Sequence, residues 1–334
     1  MNKRNDLLDV FKYFAAICII FVHSKFPGVA GSVIAMVADS CVSYFFLISG
    51  YACYGKKDEM TVKIWKRFRR NGIILLFTAA AYFVFTFLFR YISGNGFEAF
   101  IDKLRDPKTY LMMVTVGDFD FILGIPLWYM VALLYCYLIF ILIVKLNLKG
   151  ILIFAAIPLL LIKICFEIFI KTMPEISWHF GNNAIIGALP VMLLGYLIAC
   201  YKDRIKIKNS ILLLICSISV VLICLTVIFR FGGYVFAEPF SILLATSVFL
   251  FAIENPDLKC DEKIAKLGRE DSLYIYLFHY MIALLITFFV KNYLAYTMLI
   301  RCILPLFNAV LVIISAKLIS VSVRRISGKK GVNV

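Results

Sequence analysis

The feature that most constrains this 334-residue chain is a series of long, almost uninterrupted apolar runs. A run of roughly 17 to 25 apolar residues is long enough to cross the hydrocarbon core of a bilayer as an α-helix. Hydrophobic residues make up 63 % of the chain and charged residues only 16 %, too few polar groups to cover a soluble globule. The sequence therefore predicts an all-α, polytopic membrane protein with about ten transmembrane helices. The predicted spans are about 7–26, 33–54, 72–92, 122–144, 150–170, 183–201, 210–229, 234–253, 272–290 and 298–322.

The net charge of +15 is common in nucleic-acid-binding proteins, but here the basic residues follow a different pattern. When the termini and the segments between the predicted spans are taken alternately, one set contains 23 Lys and Arg residues and the other contains seven, counting Lys25 at the outer edge of the first span. Basic residues are retained on the cytoplasmic side of a membrane. We therefore expect both termini and segment 55–71 in the cytoplasm, segment 93–121 outside, and a location in the cell (plasma) membrane without a nucleic-acid partner.

The ten cysteines lie in or beside the apolar spans, without CxxC pairs and without clustering near histidines. Neither a disulfide framework nor a metal site is predicted from them. Because no polar segment is long enough for a separate soluble domain, we expect one transmembrane domain over residues 1–334.

Three ionisable residues of the first predicted helix share one face. At 100° per residue, Lys12 and His23 differ by about 20° in azimuth, and Asp9 is within about 60° of both. An ionisable side chain near the bilayer centre costs about 2.5 kcal/mol or more, so it is taken as functional unless a partner explains it. One interpretation is an interfacial Asp9–Lys12 pair with His23 as a packing residue. We favour a buried, neutral His23 imidazole, about 16 Å along the helix from Lys12, that faces a cavity and acts as a general base.

The segment KIWKRFRRNG, residues 63–72, precedes the third predicted span. Basic residues are expected at a cytoplasmic helix end on topological grounds alone. Arg67 and Arg69, supported by Lys66 and Arg70, also suit the phosphates of a cytosolic ligand through charge-assisted bidentate contacts. This position fits the mouth of a coenzyme A site.

The other two histidines each allow a structural and a functional interpretation. His279 lies in EDSLYIYLFHYMI with Tyr276 and Tyr280 nearby, and either a structural hydrogen bond or a catalytic role fits this setting. His179, next to Trp178 in SWHFGNN, fits either an interfacial anchor or a surface that stacks on a sugar ring.

Together these residues resemble the acyltransferase-3 family of integral-membrane acyltransferases, along most of the chain. The landmarks, in chain order, are Lys12 followed after ten residues by His23, YFFLISGY at 44–51, Arg67-x-Arg69, PLWYMVALL at 126–134 and SLYIYLFHYMI at 272–282. Their order and spacing are more specific than any one of them.

The resemblance implies about ten helices and the transfer of an acyl group, usually acetyl, from cytosolic acyl-CoA to a hydroxyl of an extracytoplasmic glycan or lipid-linked sugar. His23 aligns with the family's essential histidine, and Arg67 and Arg69 with its arginine pair. Two positions depart from the pattern. Lys12 stands where the family has an arginine, so the charge is kept but the planar guanidinium is lost. Residues 132–134 lack the glutamate that some polysaccharide O-acetyltransferases carry, so we do not expect this chain to share the acceptor of those enzymes.

The resulting hypothesis is an O-acetyltransferase whose co-substrate is acyl-CoA (acetyl-CoA). Arg67 and Arg69 would hold the CoA phosphates, with the pantetheine arm extending between helices toward His23. His23 would deprotonate the acceptor hydroxyl, or alternatively form an acyl-histidine intermediate. Supporting roles are assigned to Asp9, Lys12 and His279. The acceptor side is assigned to Asp118, Asp120, Trp128, Trp178 and His179.

Two other function classes stay open at this point. A transporter or flippase for a lipid-linked sugar would use intramembrane charges to line a translocation path and would consume no acyl-CoA. A non-catalytic assembly protein would tolerate replacement of His23. Membrane lipids are among the expected partners. The sequence does not specify the acyl group, the acceptor or the oligomeric state.

Overall fold

The computed structural model describes residues 5–173, 178–229, 237–294 and 296–326, and every regular element in these ranges is helical. The all-α prediction is thereby confirmed. The α-helices are α1 Asp6–His23, α2 Gly28–Tyr51, α3 Lys57–Ser93, α4 Phe97–Arg105, α5 Pro107–Thr115, α6 Leu127–Lys145, α7 Lys149–Phe154, α8 Ala156–Thr172, α9 Leu189–Cys200, α10 Asn209–Ile228, α11 Ala237–Glu254, α12 Glu262–Glu270, α13 Ser272–Tyr293 and α14 Met298–Ile326. Two short 3₁₀ turns, Asp120–Ile122 and Trp178–Phe180, and a π-helix, Ala184–Ala188, complete the list.

Within the described ranges, seven helices are long and apolar enough to cross a membrane: α2, α3, α6, α10, α11, α13 and α14. The other three predicted spans coincide with helices that each fall short in one respect. α1 has 18 residues but carries three charged side chains, α8 has 17 residues, and the span at 183–201 combines the π-helix with α9. The chain is therefore a multi-pass membrane protein.

The count of about ten spans and the cytoplasmic location of the termini stay predictions. Residues 1–4 and 327–334, which form the termini, lie outside the described ranges. So do residues 234–236 at the start of the eighth predicted span.

α3 begins well before the predicted span at 72–92. Its 37 residues extend for about 55 Å at 1.5 Å per residue, whereas the hydrocarbon core is about 30 Å thick. The N-terminal part of α3, which includes the basic segment, therefore projects beyond the apolar region. Most of the predicted polar segment 55–71 is helical for this reason.

The polar segment 93–121 forms two short helices, α4 and α5. Asp106 caps α5, because its carboxylate accepts a hydrogen bond of 2.9 Å from the Lys108 N–H. Pro107 occupies the first turn, where its missing N–H leaves no bond unmade. α4 buries Phe100 and exposes its charged residues, as an amphipathic helix does.

The chain divides into two compact units, and the boundary falls within α2. The α1 unit contains the residues up to Phe45 together with those from Lys206 onward, and the α6 unit contains Phe46–Ile205. The prediction of one transmembrane domain stays a prediction.

In the α1 unit, α1 packs against α12, α13 and α14. α12 can approach closely because Gly268 has no side chain; a Cβ there would lie 1.8 Å from the backbone oxygen of Asp9. The guanidinium of Arg269 holds the same contact, at 2.8 Å from Asp6 and 3.4 Å from Asp9. Asp271, just before α13, accepts from Lys317 of α14 at 3.0 Å. Charged groups thus fix the Asp6 end of α1 to its neighbours.

In the α6 unit, two glycines let α2 and α9 cross at close range. A Cβ at Gly50 would lie 1.8 Å from the backbone oxygen of Met192, and a Cβ at Gly195 would lie 2.2 Å from that of Leu47. Small residues at helix crossings are typical of membrane proteins, where close backbone packing replaces the hydrophobic driving force.

Candidate functional site

His23 is the last residue of α1, and Ser24 ends the helix. The Ser24 N–H donates to the Ile20 oxygen at 2.8 Å. The Ser24 hydroxyl accepts a hydrogen bond of 2.8 Å from the amide of Asn308 on α14, and both side chains are buried. The end of α1 is therefore anchored to α14 immediately beside His23.

The imidazole of His23 contacts two side chains of α13. Its centroid lies 5.1 Å from that of His279, with the ring planes at 41°, and 5.0 Å from that of Tyr280, with the planes at 73°. His23 and His279 were both selected from the sequence, but only the fold brings them together. We refer to them as the histidine pair.

The two rings of the histidine pair differ in exposure. His279 is fully buried, whereas the His23 side chain is exposed. Because α1 ends at this residue, His23 keeps an accessible surface beside its ring contacts, which differs from the expectation of a buried His23. His279 Nδ1 lies 2.6 Å from the backbone oxygen of Tyr276, one turn earlier in α13.

Asp9 and Lys12 cannot support His23 through direct contact. At about 1.5 Å per residue, Lys12 lies about 16 Å and Asp9 about 21 Å from His23 along α1. Asp9 is buried and paired with Arg269 of α12. This partner was not predicted from the sequence. Asp9 contributes to the position of α1.

The arginine pair of the basic segment is spread around α3. Arg67 and Arg69 are two residues apart in one continuous helix, which places them about 160° apart around its axis. Arg69 is exposed, while Arg67 is half-buried and interacts electrostatically with Cys53 and Tyr137. The two guanidinium groups therefore lie on different sides of α3 and cannot both contact the same phosphate.

Lys66 and Arg70 lie on the helix surface between the two arginines, one turn apart. Lys66 is exposed, and Arg70 donates to the side-chain oxygen of the buried Asn71 at 3.2 and 3.3 Å. The four predicted donor-binding residues thus form a broad basic arc on α3.

Four of the five residues predicted for the acceptor side meet in the α6 unit. His179 Nε2 lies 3.1 Å from Asp120 Oδ2 and 3.4 Å from Asp118 Oδ1. The Trp178 and His179 rings are 3.8 Å apart, with their planes at 31°. His179 is buried, whereas Trp178 is exposed and the carboxylates are partly exposed. We call this group the Asp–His–Trp cluster.

A tight turn positions the two carboxylates of this cluster. Gly117 has a φ of 76°, and a Cβ there would lie 3.1 Å from the Cα of Trp128. The Asp118 carboxylate accepts from the Asp120 N–H at 3.0 Å. Trp128, the fifth predicted residue, therefore lies behind the turn, where it also contacts Phe46.

The Asp–His–Trp cluster contains donor atoms of the kind that bind divalent cations. The ligand atoms of Asp118, Asp120 and His179 lie within 4.8 Å of one another. No metal was predicted from the sequence. Within this cluster, Asp120 is a hydrogen-bond partner of His179, and Asp118 lies at ion-pair distance from the same nitrogen.

A buried ion pair in α8 was absent from the predicted site. Lys163 Nζ lies 3.4 Å from Glu167 Oε1, and both residues are buried. The Glu167 carboxylate lies 3.0 Å from where a Cβ of Gly181 would be, two residues after His179. Opposite charges four residues apart in an apolar span are the signal that would have found it.

Comparison with known proteins supports one family. The acyltransferase-3 family model, described as an acyltransferase domain, matches residues 5–325. No curated protein and no solved structure matched the chain significantly. Because the family match covers nearly the whole chain, this protein belongs to the acyltransferase-3 family of membrane acyltransferases.

Proposed function

We propose that the protein transfers an acyl group, specifically acetyl, from acyl-CoA to a hydroxyl of an extracytoplasmic or lipid-linked glycan at the plasma membrane. The family match supports acyl transfer in general. The observation that carries the assignment of the chemistry is the histidine pair, in which an exposed imidazole at the end of α1 is backed by a buried one.

His23 is the proposed general base. Its exposure allows an acceptor hydroxyl to approach, and a neutral imidazole can take up the hydroxyl proton as the oxygen attacks the thioester carbonyl. The anchored Ser24 and the ring contacts with α13 restrict the movement of His23, which favours one geometry of attack.

The basic arc on α3 is the proposed donor grip. Coenzyme A carries a pyrophosphate and a separate 3′-phosphate, so two arginines about 160° apart around a helix can each bind a different phosphate. Arg67 would bind the inner group and Arg69 the outer one. Lys66 and Arg70, which lie between them, would add positive charge along the ligand.

The Asp–His–Trp cluster is the proposed acceptor site. Asp118 and Asp120 present carboxylate oxygens that accept hydrogen bonds from sugar hydroxyls, and Trp178 presents an exposed aromatic face. The buried His179 holds both carboxylates in place. Trp128 would act from behind the turn through Gly117.

The test uses membrane vesicles from cells that carry the protein, supplied with acetyl-CoA, and follows two quantities. These are the free CoA thiol released and the acetyl content of the surface glycan by mass spectrometry. The proposal requires both to rise above those in vesicles without the protein and to fall with His23→Ala. Movement of a lipid-linked sugar across the membrane without thiol release would overturn it in favour of a flippase.

A further inference from the structure

The tautomer of His279 follows from one contact. Its Nδ1 lies 2.6 Å from the backbone oxygen of Tyr276. A carbonyl oxygen can only accept a hydrogen bond, so Nδ1 must carry the proton and donate it. The hydrogen bond also fixes the orientation of the ring against its own helix. In the neutral imidazole, Nε2 is then the nitrogen with the free lone pair.

This Nε2 atom is buried and has no hydrogen-bond partner among the described residues. Most buried polar atoms are paired, since an unpaired one loses its hydration without compensation. A single unpaired lone pair on a fully buried ring beside the proposed base therefore calls for an explanation. Proton acceptance during catalysis provides one.

We infer that His279 Nε2 is the proton acceptor for His23, so that the histidine pair works as a two-ring relay. The inference rests on the proposed function. His279 is buried and does not reach the acceptor, which makes it a positioning residue that acts through His23. The centroids lie 5.1 Å apart and no hydrogen bond to Nε2 joins the rings in this structure, so rotation of the His23 ring about its own side-chain bonds, with the backbone anchored, would bring one of its nitrogens to the buried lone pair.

The relay accounts for the proton in both steps, from the acceptor hydroxyl to His279 and from His279 to the leaving thiolate. As the acceptor oxygen bonds to the thioester carbon, one His23 nitrogen takes the hydroxyl proton while its other nitrogen releases a proton to His279 Nε2. His23 stays neutral, and the charge passes transiently to His279, where burial disfavours it and the Nδ1–H bond to the Tyr276 oxygen offsets part of that cost. When the carbon–sulfur bond breaks, the proton returns through His23 to the CoA thiolate. The products are the ester and free CoA.

Two variants separate this role from a structural one. His279→Asn retains an amide that can donate to the Tyr276 oxygen but has no group at the Nε2 position. His279→Gln can place a side-chain oxygen near that position, which accepts a hydrogen bond from His23 but cannot take its proton. Asn292→Ala, on an exposed residue of the same helix, is the control.

The measurement is kcat and KM for thiol release from acetyl-CoA in vesicles from producing cells, per unit of folded protein. We expect kcat to fall about 10²-fold or more in both variants, with KM within twofold, as for loss of a proton-transfer group. A His279→Gln variant that keeps more than one tenth of the wild-type kcat, or a loss confined to KM, would overturn the relay. If His279→Asn does not fold, the Gln variant alone decides. Failure of the proposed function would be distinct, because wild-type vesicles would then release no thiol.

Discussion

Two histidine sites in this protein differ in what surrounds the imidazole. In the α1 unit, the exposed His23 meets the rings of His279 and Tyr280. In the α6 unit, the buried His179 faces two carboxylates through Nε2 and lies against Trp178. A histidine is therefore accessible in the first site, whereas in the second site it is buried and holds neighbouring side chains in position.

This difference is the basis on which we propose different roles for the two sites. His179 faces Asp118 and Asp120 through Nε2, and its ring is buried, so an incoming hydroxyl cannot reach its other nitrogen. The parts of that site that remain accessible are carboxylate edges and an indole face. His23, with ring neighbours and an exposed position, suits proton transfer. We therefore assign chemistry to the histidine pair and acceptor binding to the Asp–His–Trp cluster.

The largest expected effect is at His23. His23→Ala should lower acetyl transfer about 10²- to 10⁴-fold, the usual contribution of a general base, while acyl-CoA still binds. Transfer is measured as acetylated glycan per unit of folded protein, and acetyl-CoA binding by calorimetry in detergent. Near-normal transfer by this variant would contradict the assignment of proton transfer to the histidine pair.

The next effect concerns the basic arc. Arg67→Ala should weaken acetyl-CoA binding about 10- to 100-fold, since a charge-assisted hydrogen bond contributes about 1.5 to 3 kcal/mol. Arg69 is more exposed, so Arg69→Ala should cost less. Lys63→Ala removes the same charge from an exposed position on the same helix and is the control, with unchanged affinity expected. If all three variants bound acetyl-CoA as tightly as the wild type, the arginines would serve only to orient the protein in the membrane.

The acceptor assignment predicts a smaller, differently distributed effect. Asp120→Asn keeps the shape of the side chain and removes its charge, so KM for the glycan should rise about tenfold with kcat unchanged. Asp102→Asn changes the same group at an exposed site of α4 and should have no effect. If Asp120→Asn instead lowered kcat by about two orders of magnitude, as loss of a proton-transfer group does, the chemistry would lie in the Asp–His–Trp cluster.

The regular patterns of the chain predicted its helices well, because length and apolarity are local properties of the sequence. Each predicted span overlaps a helix in the described ranges, although the span at 150–170 is divided between α7 and α8 and α3 extends much further than its apolar part. That extension matters for the site. Once 63–72 is helical, the 100° step per residue separates Arg67 from Arg69. The sequence predicts a basic segment at the cytoplasmic start of the third span, but it does not show that one continuous helix runs through both arginines.

Contacts between residues that are far apart in the chain could not be predicted from the sequence. His23 and His279 were each selected for their chemistry, yet nothing local shows that α1 and α13 meet at these residues. The same holds for Asp9, whose partner Arg269 lies on α12. The meeting of Asp118 and Asp120 with His179 depends on the turn at Gly117 and on packing across the α6 unit. Such contacts depend on tertiary packing.

The smallest effect on transfer is expected at Gly268, far from the histidine pair. A Cβ at this position would lie 1.8 Å from the Asp9 oxygen, so Gly268→Ala must shift α12 and should lower the free energy of unfolding by about 1 to 3 kcal/mol. Gly72→Ala is the matched control, because a Cβ there meets nothing within 4 Å, and replacing a mid-helix glycine should stabilise by up to about 1 kcal/mol. Thermal unfolding in detergent measures both. Since Asp9 lies about 21 Å from His23 along α1, transfer per folded molecule should stay within twofold of wild type in each variant. A Gly268→Ala protein that folds normally but loses transfer would show that the Asp6 end of α1 controls the geometry of the histidine pair.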